Sequence, residues 1–160
     1  MDQLEHAGFL RRIAAMGYDS LLVFSLLFGA TALYQLIAEQ FLAAPTPTDI
    51  GTDTVIHQIE PVASGPLFTL YLLLVMIAFF VFFWCKSGQT LGMQAWRLRI
   101  DKLEGGRLSL GQALIRILMA AVSAACFGLG YLWILFDRDK RSWHDICSRS
   151  RVVLLPKKKT

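Results

Sequence analysis

The sequence predicts an all-α membrane protein: two clear transmembrane helices, a broken or re-entrant helical segment, and a small cytoplasmic β element. Three observations predict it. Of the 160 residues, 55% are hydrophobic and only 18% charged, against about 45–50% and about 25% in soluble domains. Mean hydropathy is +0.50. The apolar residues gather into long runs, while Trp96–Asp101 switches to strict alternation.

The first span covers about 13–37, entered through Arg11 and Arg12 and closed by Glu39 and Gln40. A membrane helix needs about 20 residues, more when tilted. The Arg pair before an apolar run resembles a signal peptide. The run is too long, Asp19 interrupts it, and no small-x-small site follows, so the segment is expected to be retained. Residues 38–66 then read as an outer loop. Pro45, Pro47 and Pro61 break helices there, and Glu39, Asp49, Asp53 and Glu60 face no Lys or Arg.

The second span, about 67–85, carries no charge and is rich in aromatics, with Trp84 at interface depth and Lys86 closing it on the inside. In the following segment, about 86–108, Trp96, Leu98 and Ile100 alternate with Arg97, Arg99 and Asp101, a strand signal. Glu104-Gly105-Gly106 is a turn, Arg107–Leu110 a candidate returning strand, and Arg151–Leu155 another β-branched run.

The third apolar run, about 109–136, starts at a capping box of Ser109 and Gln112. Its 28 residues are long for one span and short for two, and Gly128 and Gly130 weaken it. The tail after it, 137–160, is strongly basic and belongs in the cytoplasm by the positive-inside rule. Three full crossings from a cytoplasmic N-terminus would place it outside. The run is therefore expected to enter and return, as two shorter helices joined around Phe127–Gly130.

Charges inside membrane-length segments need a partner, water or a role. Arg12 and Asp19 lie seven residues apart, nearly one helical face. Arg12 is expected to snorkel to the cytoplasmic surface, leaving Asp19 inside. Gln112, Arg116, Met119 and Ser123 form a polar-leaning stripe at spacings of four, three and four. Arg116 is the expected partner of Asp19, and Asp145 is expected to pin the tail against the membrane face through Arg138 or Arg141. Asp137 is a further polar candidate. Two readings of this seam stand together: a structural lock, and an ion-coupled role with Asp19 as the titrating group.

Other chemistry finds little support. Cys85, Cys126 and Cys147 form no framework. His144 with Cys147 lacks the further ligands a metal needs, and neither triad nor substrate pocket is visible, so no enzyme, cofactor or metal is expected. KSGQTLG at 86–92 lacks the phosphate-loop spacing and reads as a tight turn. The net charge of +4 reads as basic cytoplasmic flanks, with no nucleic-acid partner. Expected partners are the lipid bilayer, anionic lipid headgroups at the basic tail, Lys157–Lys159, and a second copy or another membrane protein, because so few crossings enclose no pathway.

RRIAAMGYD, then GQTLGMQAWRLRI followed by GGRLSLGQALIR, then FDRDKRSWHD before a short apolar tail together resemble the RDD family. These are small, mostly bacterial integral membrane proteins named for one arginine and two aspartates. The resemblance covers nearly the whole chain outside the loop and implies a single membrane domain over 1–160. It carries the named residues onto Arg12, Asp19 and Asp145, and matches recurrent positions at Thr90, Gly92 and Arg116. Met93 departs, standing where Lys is frequent. The implied setting is the bacterial inner membrane, multi-pass, with both termini cytoplasmic. The implied activity is transport of an ion or small solute, sodium/proton exchange having been proposed for some members. The alternative is a non-transporting scaffold or accessory subunit.

Overall fold

The structure is a computed structural model and describes residues 7–41 and 65–156. Two helices, α1 (Phe9–Phe41) and α2 (Pro66–Lys86), are long and apolar enough to cross a membrane. α1 exceeds the expected 13–37 at both ends. Residues 38–41 were expected to begin the loop. They are helical, because Ala38, Glu39 and Gln40 are good helix formers and no Gly or Pro intervenes. The acidic residues 49, 53 and 60 lie outside the described residues, as does Lys157–Lys159. α2 begins with Pro66 in its first turn, where the missing N–H costs nothing.

The two helices run antiparallel. Late in α1, the Tyr34 ring meets Phe68 and Tyr71 at 5.0 and 5.6 Å, and the Tyr71 hydroxyl donates to the Ala30 carbonyl. At the opposite end α2 closes as the Ser87 N–H donates to the Phe83 carbonyl at 3.0 Å. Gly88 then turns with φ 71°, and its carbonyl accepts from Ile100 N–H at 2.8 Å. A Cβ there would sit 2.9 Å from the Ile100 carbonyl oxygen.

That end of the helix pair carries a polar layer. Its parts are α3 (Leu91–Ala95), β1 (Leu98–Lys102), α6 (Trp143–Cys147) and β2 (Ser150–Leu154). The strands pair antiparallel, with Leu98 opposite Leu154 and Lys102 opposite Ser150. The alternation seen in the sequence buries Leu98 and Ile100 with Met93, Leu108, Val152 and Ala15. The expected hairpin strand at Arg107–Leu110 does not form. Gly105 and Gly106, both at positive φ, turn the chain away from β1, and Ser109 is committed to capping a helix. The β-branched Val152 and Val153 of the tail fill the edge instead.

The third apolar run is broken. α4 (Leu110–Ala125) begins at a capping box in which Ser109 N–H donates to Gln112 Oε1 at 3.1 Å and Gln112 N–H to Ser109 Oγ at 3.4 Å. It ends where Phe127 and Gly128 take left-handed backbone. α5 (Leu129–Leu132) and a 3-10 turn (Trp133–Leu135) follow, bent from α4 by 107°. Gly130 lies so close to α4 that a Cβ would stand 2.5 Å from Ser123 Oγ.

Candidate functional site

Asp145 is the hub of the polar layer. It is the third residue of α6, and its Oδ2 accepts the Ser142 N–H at 3.1 Å, completing a capping box. That cap turns the carboxylate back over the helix start, where it is wholly buried. Arg12 Nη1 of α1 donates to Asp145 Oδ2 at 2.6 Å, and Arg116 Nη1 of α4 pairs with Oδ1 at 2.5 Å. Each arginine is secured further. Arg12 Nε donates to the Ala7 carbonyl at 3.2 Å and Nη2 to the Lys140 carbonyl at 2.8 Å. Arg116 Nη1 donates to Ser150 Oγ at 2.6 Å, and its guanidinium stands 5.4 Å from the Trp84 ring of α2. One carboxylate thus ties α6 to α1 and α4, and Arg116 extends the tie to β2 through Ser150.

The electrostatics follow from this geometry. Burial by itself raises the Asp145 carboxyl, but Arg116 and then Arg12 outweigh it and hold the group well below the usual carboxylate range. Beside it, burial and then Arg116 push His144 down to about 3, so the imidazole is neutral at pH 7. His144 Nε2 lies 2.8 Å from Ser142 Oγ, and its ring is 4.7 Å from Tyr131.

Asp19 belongs to a separate clasp. Its Oδ1 accepts the Gly92 N–H at 2.9 Å and its Oδ2 accepts from the Thr90 hydroxyl. Thr90 is also the N-cap of α3, its Oγ1 accepting the Met93 N–H at 3.2 Å. The carboxylate therefore closes the start of α3 from across the α1 interface. At Gly92 a Cβ would lie 2.5 Å from the Ala15 carbonyl oxygen, so only glycine permits the approach.

Several expectations need correction. Asp19 does not pair with Arg116. The backbone and hydroxyl donors of α3 reach Asp19 first, and Arg116 is drawn to the ionised Asp145. Arg12 does not snorkel; it is 7% exposed because the polar layer folds over it. Arg138 and Arg141 do not hold Asp145. Arg141 instead pairs with Asp137 and Asp139, at 3.3 and 2.8 Å. Asp137 stands apart from the hub, its carboxyl lowered first by the Arg141 backbone N–H. Gln112 completes its cap and donates from Nε2 to the Ser148 carbonyl at 3.0 Å. Met93, where the resemblance suggested Lys, is buried in the apolar core.

Ser123, expected on the polar stripe of α4, is buried there, but Ser142, Ser148 and Ser150 were missed. Ser150 Oγ lies 2.7 Å from Ser148 Oγ, which donates to the His144 carbonyl at 2.5 Å. The Ser142-x-x-Asp145 spacing was a readable capping signal; nothing local marked Ser148 or Ser150. Among the described residues no group of three His, Cys, Asp or Glu side chains gathers as a metal site would require.

The family model described as RDD family matches residues 6–149. A Bacillus subtilis (strain 168) relative, described as uncharacterized protein YxaI, is 31% identical over 86 residues, covering 51% of this chain and 56% of that protein. The match thus spans little more than half of that relative's length. No solved structure matches.

Proposed function

The chain belongs to the RDD family of membrane proteins, and from that premise we propose that it works as a membrane-embedded scaffold or accessory subunit whose buried charges are a structural lock. One observation carries this reading: the Asp145 carboxylate, with no exposed surface, is gripped by Arg12 and Arg116 from two different helices. Removing one partner of a buried pair typically costs about 3–5 kcal/mol, so such a hub holds helices and tail in one arrangement. In this reading α1 and α2 cross the inner membrane of a bacterium. The basic polar layer faces the cytoplasm by the positive-inside rule. The outward apolar face of α2, a helix with no buried residue among the described residues, is where a second copy or another membrane protein would pack. No catalytic step is assigned.

A second reading is favoured by a specific contrast. Asp145 is clamped by two cations, whereas among the described residues Asp19 meets only the Thr90 hydroxyl and the Gly92 N–H. Both contacts survive protonation, the Thr90 hydroxyl turning from donor to acceptor. Asp19 is therefore the group suited to carry a proton or meet a small cation, as ion-coupled transport demands. Proteoliposomes separate the readings. The scaffold reading predicts no proton- or sodium-driven flux above empty vesicles. Flux that disappears in Asp19→Asn, in a protein that still folds, would establish the transport reading in its place.

A further inference from the structure

The broken third segment leaves a large apolar surface whose partner can be argued from its own chemistry. We propose that α4, α5 and the 3-10 turn form a hairpin that dips into the single bilayer leaflet next to the polar layer and returns, with Phe127 deepest among the acyl chains. The proposal rests on the membrane assignment alone and holds under either reading of the seam.

Both ends of the hairpin are tied to the same layer. At the entrance, Leu108 lies in the core of the sheet and Gln112 donates to the Ser148 carbonyl. At the exit, the Lys140 carbonyl accepts from Arg12. A segment whose two ends meet one layer has not crossed. Its length argues against a crossing: the 16 residues of α4 span about 24 Å at 1.5 Å each, short of the roughly 30 Å hydrocarbon core and longer than the roughly 15 Å of one leaflet, so α4 enters obliquely.

The polarity of α4 is inverted relative to a helix in water. Its buried face carries Arg116 and Ser123, and its exposed face carries Leu110, Leu114 and Leu118. The exposed apolar surface continues through Phe127, 96% exposed, to Phe136. In water a surface of this size is a liability; in a leaflet it is the required solvent match.

The break itself suits hydrocarbon, where an unpaired backbone group costs several kcal/mol. Phe127 N–H donates to the Ala124 carbonyl at 3.1 Å, Gly128 N–H to Ser123 at 2.7 Å, and Leu129 N–H to Cys126 at 3.1 Å. Phe127 holds φ 54°, a conformation uncommon for a bulky side chain, and the turn presents its ring wholly outward. The rims complement anionic headgroups. Arg107 precedes α4, Arg138 and Lys140 follow the 3-10 turn, and all three are exposed and in no ion pair among the described residues.

The test uses the full chain with Cys85, Cys126 and Cys147 replaced, in mixed phosphatidylcholine and phosphatidylglycerol vesicles. Single cysteines at Ser109, Phe127 and Arg138 carry a nitroxide, and Leu129→Cys repeats the apex measurement should Phe127→Cys fold poorly. The expected result is an apex reached by oxygen and shielded from a water-soluble nickel chelate. Positions 109 and 138 should be labelled by an impermeant thiol reagent from one and the same side. Labelling of 109 and 138 from opposite sides would overturn the proposal in favour of a full crossing. Free access of the chelate to the apex would overturn it in favour of a surface hairpin.

Discussion

Asp19 and Gly92 meet more closely than any side chain at position 92 would allow. The Asp19 Oδ1 accepts the Gly92 N–H at 2.9 Å, and a methyl at Gly92 would lie 2.7 Å from the carboxylate carbon. Gly92→Ala must push α3 away from α1. Overpacking of this kind costs about 1–3 kcal/mol, and here it also weakens a charge-assisted hydrogen bond. The expected outcome is a lower unfolding midpoint in detergent. An unchanged midpoint would mean that the two helices are not in this register.

Thr90 joins the same clasp by donating to Asp19 while accepting from Met93 N–H. Thr90→Val keeps the shape and loses the hydroxyl, leaving buried groups without partners at about 1–3 kcal/mol. Thr90→Ser keeps the hydroxyl and should lie much nearer the parent. Chemical denaturation of the two variants side by side checks the order; equal losses would assign the effect to packing.

Stability should fall with acid before any ordinary carboxylate titrates. His144 is pushed down to about 3 in the fold, against about 6.5 in an unfolded chain. Between those values the unfolded chain takes up a proton that the folded protein refuses. The loss therefore begins as pH drops through about 6.5 and reaches about 3 kcal/mol at pH 4. The Asp145 carboxyl is lowered, so its contribution stays intact above the unfolded carboxylate value and is lost only at more acid pH. The groups facing His144 are Arg116, Asp145 and Arg12, with Tyr131 against its ring. Midpoints recorded from pH 7 to pH 5 should decline in the parent and stay nearly flat in His144→Gln. A parallel decline in both would place the sensitive group elsewhere.

Hydropathy made α1 and α2 legible, and period-2 alternation made β1 legible, because both signals are local. The capping box at Ser109 and Gln112 was equally local. The β-branched run at Arg151–Leu155 was legible in the same local way and forms β2, but its pairing with β1 was not, since the register across 48 positions, from Lys102 to Ser150, leaves no trace in either strand alone. The seam was half legible. Arg12, Asp19, Arg116 and Asp145 stood out as charges in apolar surroundings, yet charge counting matched Asp19 to Arg116. What satisfies Asp19 is a backbone N–H and a hydroxyl, donors that carry no charge to count. Thr90 and Gly92 entered through family resemblance, and the tight Gly92 approach supplies the physical reason for a glycine there.

The hub at Asp145 is the central claim, and a charge-removal series on it is the most direct measurement. Asp145→Asn keeps the α6 cap but strands two buried guanidiniums, and should lower stability by about 3–5 kcal/mol. Adding Arg12→Met and Arg116→Met to that variant removes the stranded charges and should recover much of the loss, since apolar replacement of a whole buried ion cluster is often neutral or stabilising. Unfolding midpoints of the parent, the single and the triple variant in one detergent give the answer. A single variant as stable as the parent, or a triple variant less stable than the single, would contradict the lock.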